Sequence, residues 1–338
     1  MITPAERQST TPERFFNAIN SYQLTEAIKS AVELDVFTAV TEGNETTATI
    51  ARRCQASERG IRILCDFLTI HGFLTKQATI YSLAPDSALF LDRNSPAYVG
   101  SAIEFLLTPR LRECHAHLTE AVRQGGTVLG EGMLHPENPD WVKYARGMMP
   151  MARRPAEIIA DELRKDGEAR KVLDVAASHG MFGIAVATRN PAAHIYASDW
   201  GNVLEVAQKN ADAMGVGDRY HLIPGSAFET DFGNGYDLAL VTNLLHAFDP
   251  PTCTKLMHKV HVALSPGGRA AIVEYVPNPD RVSPPVAAAF SLTMLAATDS
   301  GDAYTFAELD SISNAAGFAR VELSPADLGR NRLLIAYR

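Results

Sequence analysis

KVLDVAASHGMFGIAVATRNPAAHIYASDW, residues 171–200, spells a strand, a turn, a helix and a second strand. Val172, Leu173 and Val175 form a short apolar run with β-branched residues, as in a strand covered on both faces. Asp174 sits at its end. Ala176-Ala177-Ser178-His179-Gly180 then make a tight turn of mostly small residues. Residues 181–188 are apolar at helical spacing, and Asn190-Pro191 stops them. His194 begins the second strand and Asp199 ends it. Such a βαβ unit holds an adenosine-containing ligand. Small residues let the backbone approach the ligand, and the second acid takes the ribose hydroxyls.

The turn narrows the ligand. A dinucleotide site needs G-x-G-x-x-G to aim helix amides at a pyrophosphate, and that spacing is absent, as is a P-loop. Asp174, just before the turn, suits a ligand with a positive group and no phosphate. S-adenosylmethionine fits both conditions. Here the chain resembles the class I methyltransferases, and more closely the two-domain O-methyltransferases of plant and microbial secondary metabolism. Their motif runs acid-x-Gly-x-Gly-x-Gly. This chain has Asp174, Ala176, Ser178 and Gly180 at those positions and keeps only the last glycine. Alanine and serine are small enough, but a positive φ costs them more than glycine. The resemblance implies S-adenosylmethionine as cofactor and S-adenosylhomocysteine as product. Asp174, Ala176, Ser178, Gly180, Asp199 and Trp200 would hold it. It also implies an α/β fold: a Rossmann-like, mostly parallel sheet with a final antiparallel hairpin.

Length and composition suit a large enzyme. A chain of 338 residues favours two domains, and 46% hydrophobic residues supply a sizeable core. With 31 basic against 39 acidic residues the net charge is −8, which opposes a broad nucleic-acid or anionic-membrane surface. No apolar run reaches membrane-spanning length, and MITPAERQSTTPERFF has no signal-peptide core. A cytoplasmic location is the expectation. Cys54, Cys65, Cys114 and Cys253 lack metal spacing and read as free or buried thiols.

Glycines 125, 126, 130 and 132, then HPENPD, mark a break. The expected domains are 1–135 and 136–338. In the first, residues 15–34 carry apolar side chains at helical spacing. Thr46 and Ser57 cap two further helices. Residues 73–75 and 80–83 look like the strands of a small wing. A winged helix has two readings. Arg52, Arg53, Arg59 and Arg62 point to DNA binding, whereas Glu58, Asp66 and the acidic balance oppose it. In the resembled family this region is a dimerisation domain, which implies a homodimer. Residues 137–170 follow as a link, with Trp141, Tyr144, Met148, Met149 and Met151 on a broken helix. They line the acceptor pocket by resemblance, or pack an interdomain core by their residue types.

The second half alternates strands and helices. Residues 203–214 read as a helix, 221–223 as strand three and 236–242 as strand four. Ser265-Pro266-Gly267-Gly268 reads as a sharp turn before strand five, 269–275. Residues 290–297 form an apolar helix over the acceptor pocket, 305–316 a capped helix, and 319–323 with 333–337 the final hairpin.

The resemblance then assigns roles. After strand three the family has Gly-Asp-Met-Phe around the adenine, where this chain has Gly225, Ser226, Ala227 and Phe228. After strand four stands Asn243-Leu244-Leu245-His246-Ala247-Phe248, where the family reads Leu-His-Asp-Trp. His246 matches the general base, since a histidine near neutrality takes a hydroxyl proton without metal. Phe248 matches the tryptophan near the adenine, and Asn243 joins the cofactor set. Glu274 matches the acid that orients the base. The second flanking acid is replaced by Ala303, with Asp302 one residue away. His115, His117, His258 and His261 have metal-like spacings without a carboxylate or cysteine cluster, so no metal is expected. His179 either touches the ligand or faces solvent.

The expected function is methyl transfer from S-adenosylmethionine to the hydroxyl of a small, aromatic acceptor. The alternatives are other chemistry on a natural product with the cofactor bound, and a winged-helix DNA-binding regulator. The acceptor, and whether oxygen, nitrogen or carbon is methylated, are not written in the sequence.

Overall fold

A computed structural model describes residues 11–130 and 138–338. The junction expected at 135/136 lies outside the described residues. Packing divides the chain into Met1–Ser101 and Ala102–Arg338. The helices Pro109–Ala116 and Leu118–Gln124 fall in the second unit, upstream of the glycine-rich stretch. They pack against the helix Pro285–Ala297.

The first unit begins with the helix Glu13–Glu33. Thr46 caps Thr47–Arg53 through a capping box with Thr49, and the Ser57 hydroxyl accepts from the Gly60 N–H to start Glu58–Ile70. Strand β1 (Leu74–Gln77) pairs antiparallel with β2 (Ile80–Leu83), where the wing was expected. Asp66 ties this hairpin to the preceding helix. It accepts from the Tyr81 hydroxyl at 2.7 Å and the Lys76 ammonium at 2.5 Å. Arg62 pairs with Asp66, and Arg53 with Asp35 and Glu42. Two of the four arginines that favoured DNA are thus committed to internal carboxylates.

The second unit holds a seven-stranded sheet. Its strands are β3 (Lys171–Val175), β4 (His194–Asp199), β5 (Tyr220–Pro224), β6 (Tyr236–Thr242), β7 (Leu264–Glu274), β8 (Arg320–Leu323) and β9 (Arg332–Tyr337). They are ordered β5-β4-β3-β6-β7-β9-β8. The first five are parallel, and β9 runs antiparallel to β7 and β8. The apolar runs have a simple cause: both faces are buried, and alternate residues serve opposite cores. Val172, Ile195, Leu238, Leu240 and Ala271 pack with the helices Pro139–Leu163, Met181–Arg189 and Gly201–Ala213. Leu173, Ala239, Val241, Ala270 and Ile272 pack with Pro250–Ala263 and Phe306–Ala315. Strand order reverses between β3 and β6. Crevices form at the carboxyl ends of the strands at such a point.

Two elements differ from the sequence reading. Ser265–Gly268 is no separate turn but part of β7. Tyr236 pairs with Leu264 and Leu238 with Arg269, so the intervening residues bulge out of the ladder. The linking helix is one unbroken 25-residue element, Pro139–Leu163, with Pro150 and Pro155 inside it. Each proline removes a helical hydrogen bond. The buried face Ala152, Ala156, Ile159, Ala160 and Leu163 packs into the first core and overrides that loss.

Leu240 is fully buried in the central strand. Leu240→Ala is expected to cost about 2–5 kcal/mol in urea unfolding. The exposed Ile70→Ala should stay within about 0.5 kcal/mol of wild type.

Candidate functional site

The residues matched to the cofactor, and His246 and Glu274, lie at or just beyond the carboxyl ends of parallel strands, whereas Trp141 and Tyr144 lie on the helix Pro139–Leu163. After β3, the turn passes through left-handed backbone at Ala176 (φ 52°), Ser178 (φ 52°) and Gly180 (φ 75°). Alanine and serine therefore adopt the conformation that glycine takes without penalty, at roughly 1 kcal/mol each. The turn is held by bonds that bridge the two strands. The Ser178 N–H donates to Asp199 Oδ2 at 2.8 Å, and the Trp200 N–H to Asp199 Oδ1 at 2.7 Å. The Ala177 N–H reaches the Ser198 carbonyl.

Asp174 is fully buried and faces the helix Met181–Arg189. The Gly183 N–H donates to its Oδ2 at 3.1 Å. A Cβ at Gly183 would stand 2.7 Å from that oxygen, so only glycine lets the acid reach the backbone. Burial pushes the Asp174 carboxyl up to about 8, with nearby Asp199 adding to the rise. Burial also lifts Asp199 to about 6, against the pull of its two amide donors.

His179 is buried, not solvent-facing. Its Nδ1 accepts the Met181 N–H at 3.2 Å, so the ring is neutral with its hydrogen on Nε2. Burial lowers it to about 4. His179 thereby caps a helix whose own N-cap, Gly180, has no side chain to offer.

Four buried polar atoms around this turn lack a protein partner: Asp174 Oδ1, Ser178 Oγ, Ser198 Oγ and the Tyr220 hydroxyl. Buried polar atoms without partners are rare. An acid, hydroxyls and a close-approach turn match the needs of a cofactor with an amino acid end and a ribose. Tyr220 had no local signal in the sequence; only the packing of β5 beside Gly180 brings it here.

The other strand ends complete the crevice. Beyond β5, the Gly225 N–H donates to the Asp199 carbonyl at 2.9 Å. Ser226 Oγ accepts the Phe228 N–H, and the Phe228 ring meets Phe248 edge-on at 4.9 Å. Beyond β6, Asn243 is left-handed (φ 53°), and its Oδ1 accepts from Asn331 at 2.8 Å. That oxygen is therefore engaged within the protein. Trp200 packs against the buried cluster of Ala145, Val203 and Val206, as do Trp141 and Val142.

Glu274, at the end of β7, is 1% exposed. Its Oε1 accepts from the N–H groups of Leu244 (2.9 Å) and Leu245 (2.7 Å), and its Oε2 lies 2.6 Å from His246 Nδ1. The carboxylate keeps hydrogen on Nδ1 and leaves the lone pair on Nε2. The Phe290 ring stands edge-on to His246 at 4.9 Å and stacks on Tyr275 at 4.1 Å. The second acid is absent: Ala303 is buried, and Asp302 turns to Arg281 at 3.1 Å. Arg281 also pairs with Glu308 and donates to the Ala303 carbonyl, clipping the segment before the helix Pro285–Ala297 to that after it. Further along lie Phe105, Trp141 and Tyr144, ring against ring. Burial raises the Tyr144 phenol, with Tyr275, Glu274 and Asp199 adding to it, so it stays protonated at neutral pH.

This fold and crevice define a class I methyltransferase. The O-methyltransferase domain model matches residues 117–319 and the O-methyltransferase dimerisation domain model residues 16–93, so the chain belongs to the O-methyltransferase family. A solved protein from Nostoc punctiforme PCC 73102 is 51% identical and superposes with a TM-score of 0.95, over 98% of this chain and all of that one. The 8-O-methyl transferase of tetracenomycin polyketide synthesis from Streptomyces glaucescens is 28% identical, over 87% of this chain and 88% of that protein. Human N-acetylserotonin methyltransferase in complex with S-adenosylmethionine shares the fold, with a TM-score of 0.85 at 18% identity over 100% and 99% of the two chains. The chain is an enzyme of the methyltransferase type, and its cofactor is S-adenosylmethionine. Among the described residues no helix is long and apolar enough to cross a membrane.

The buried ionisable groups imply a pH signature. Asp174 is raised on folding, so its contribution is whole below about pH 4 and lost as pH rises to about 8. His179 is lowered, so its contribution is whole above about 6.5 and lost as pH falls towards about 4. Asp199, also raised, adds to the loss up to about pH 6; His179 opposes both acids below 6.5, and above it Asp174 carries most of the slope. From pH 6.5 to 8 the cofactor-free protein is expected to lose up to about 2 kcal/mol. Asp174→Asn should flatten this slope in chemical denaturation at each pH.

Proposed function

We propose that this chain moves a methyl group from S-adenosylmethionine to a hydroxyl of a small aromatic molecule, with His246 as general base. The observation that carries the reading is the Glu274 carboxylate. One oxygen holds His246 Nδ1 and the other holds two backbone amides, which orients the imidazole and presents Nε2 as the proton acceptor. When bound, S-adenosylmethionine supplies an activated methyl group. The chain's own work is positioning and one proton transfer. Asp199 would take the ribose hydroxyls, with Trp200 beside it. Asp174, Ala176, Ser178 and Gly180 would shape the methionine end, and Ser226, Ala227, Phe228, Asn243 and Phe248 the adenine side. His246 Nε2 accepts the acceptor's proton as the new bond forms. The aromatic pairs Phe290–Tyr275, beside His246, and Trp141–Tyr144 favour a flat acceptor. The 8-O-methyl transfer named for the S. glaucescens relative supports oxygen as the methylated atom.

His246→Ala is expected to lower turnover at least about tenfold and leave cofactor affinity within about threefold. Glu274→Gln should act in the same direction. Screening hydroxylated aromatics by product mass would identify the acceptor, with a gain of one methyl as the signature. Wild-type turnover in His246→Ala would overturn the base assignment. A second reading is favoured by one observation: the acid nearest the missing second position is spent on Arg281. A base with a single carboxylate also suits other chemistry on a natural product, and a product without added methyl would select it.

The dimerisation-domain match, and Phe15, Phe16, Ile19 and Tyr22 exposed at 55–62% on one helix, support a homodimer built through the 1–135 region. Light scattering is expected to give twice the chain mass. Phe15→Asp with Ile19→Asp should shift it to the monomer.

A further inference from the structure

We propose that Lys259 is a positioning residue for the adenosine end of the cofactor site. Its ammonium pins the 225–228 turn from below. Lys259 lies on the helix Pro250–Ala263, whose N-terminus follows directly after His246 and Phe248. Its Nζ donates to the Ala227 carbonyl at 2.9 Å and stands 4.1 Å from the centroid of the Phe232 ring. Half-burying an ammonium against a ring and a carbonyl costs desolvation, and that cost lowers the Lys259 pKa. Glu229 and Asp231 act on it only through space. A lysine that served as mere surface charge would extend into water.

The turn it holds is fixed at its tip by one local bond, from the Phe228 N–H to Ser226 Oγ, which ties the turn to itself and not to a neighbouring element. Its start is tied to β4, where the Gly225 N–H meets the Asp199 carbonyl. Its base is closed by Ser226, whose carbonyl accepts from Glu229 and Thr230. Ala227 has no polar side chain, so at that residue the carbonyl is the group that can be gripped. Phe228 follows, 38% exposed, with its ring against Phe248. Lys259 thus links two strand ends. Its helix begins just past Phe248, and its ammonium ends under the turn that presents Phe228. This bond ties the turn that presents Phe228 to the helix that follows Phe248, and so helps keep in register the two rings that would flank a purine.

The inference rests on placing adenosine at Asp199 and Phe228. The test uses S-adenosylhomocysteine and adenosine as separate calorimetric probes on the full chain. Lys259→Met keeps the aliphatic stem and removes the donor. It is expected to weaken both probes by a common factor of about ten, the size of one charge-assisted hydrogen bond. Lys259→Arg restores a donor and should stay within about threefold of wild type. Lys259→Gln replaces the methionine variant if that one does not fold. A lower melting temperature with both affinities within about twofold of wild type would overturn the proposal, for then the lysine serves only stability. Asp199→Ala separates the two levels. Loss of both probes there, with Lys259→Met unaffected, sinks the lysine role alone. Unchanged binding in Asp199→Ala sinks the placement and the lysine role together.

Discussion

A buried carboxylate must be met by donors, and this requirement organises the catalytic unit. Asp174, Asp199 and Glu274 stand at the carboxyl ends of three parallel strands. In water each would be solvated freely. In the fold each is met by backbone N–H groups from a neighbouring element: Gly183 for Asp174, Ser178 and Trp200 for Asp199, Leu244 and Leu245 for Glu274. Burying such a group without partners would cost several kcal/mol. The donors therefore dictate where the connecting turns run, and the turns dictate where a ligand fits.

The turn after β3 illustrates the consequence. Ser178 can reach Asp199 only if the chain doubles back, and doubling back places Ala176, Ser178 and Gly180 in the left-handed region. Two residues with Cβ atoms accept that strain because the surrounding bonds hold it. His179 contributes one of those bonds as an unusual helix cap. Strain held in place by a network at a ligand crevice is a feature of preorganised sites. The loss of two motif glycines is thus compatible with the same turn geometry.

Much of this was legible in the sequence. The strands alternate between two apolar cores, so β3, β4 and β6 stand out as short apolar runs, and the terminal acids mark their ends. Thr46, Ser57 and Thr305 announced their helices through local caps. The misread segments are those where a distant partner decides. Pro150 and Pro155 argued for a break, yet one alanine-rich face packed on the neighbouring helix keeps the element whole. Ser265–Gly268 has turn chemistry, but β6 pairs on both sides of it and makes it a bulge. Asp302 stands next to the position where the resemblance implied a second acid, and only the tertiary structure shows it turned to Arg281.

By itself the sequence determined the sheet and the small-residue turn with acids at the strand ends, while its resemblance to the O-methyltransferases implied the pairing of His246 with Glu274. The first two depend on local periodicity and turn residues, which act over a few residues. The tertiary structure alone decided what those groups touch. It set the tautomer of His246 and of buried His179, engaged Asn243 with Asn331, and brought Tyr220 and Lys259 to the crevice. The physical reason is range. A hydrogen bond forms within about 3 Å of space whatever the separation along the chain, and a linear pattern carries no record of which distant side chain will fill that space.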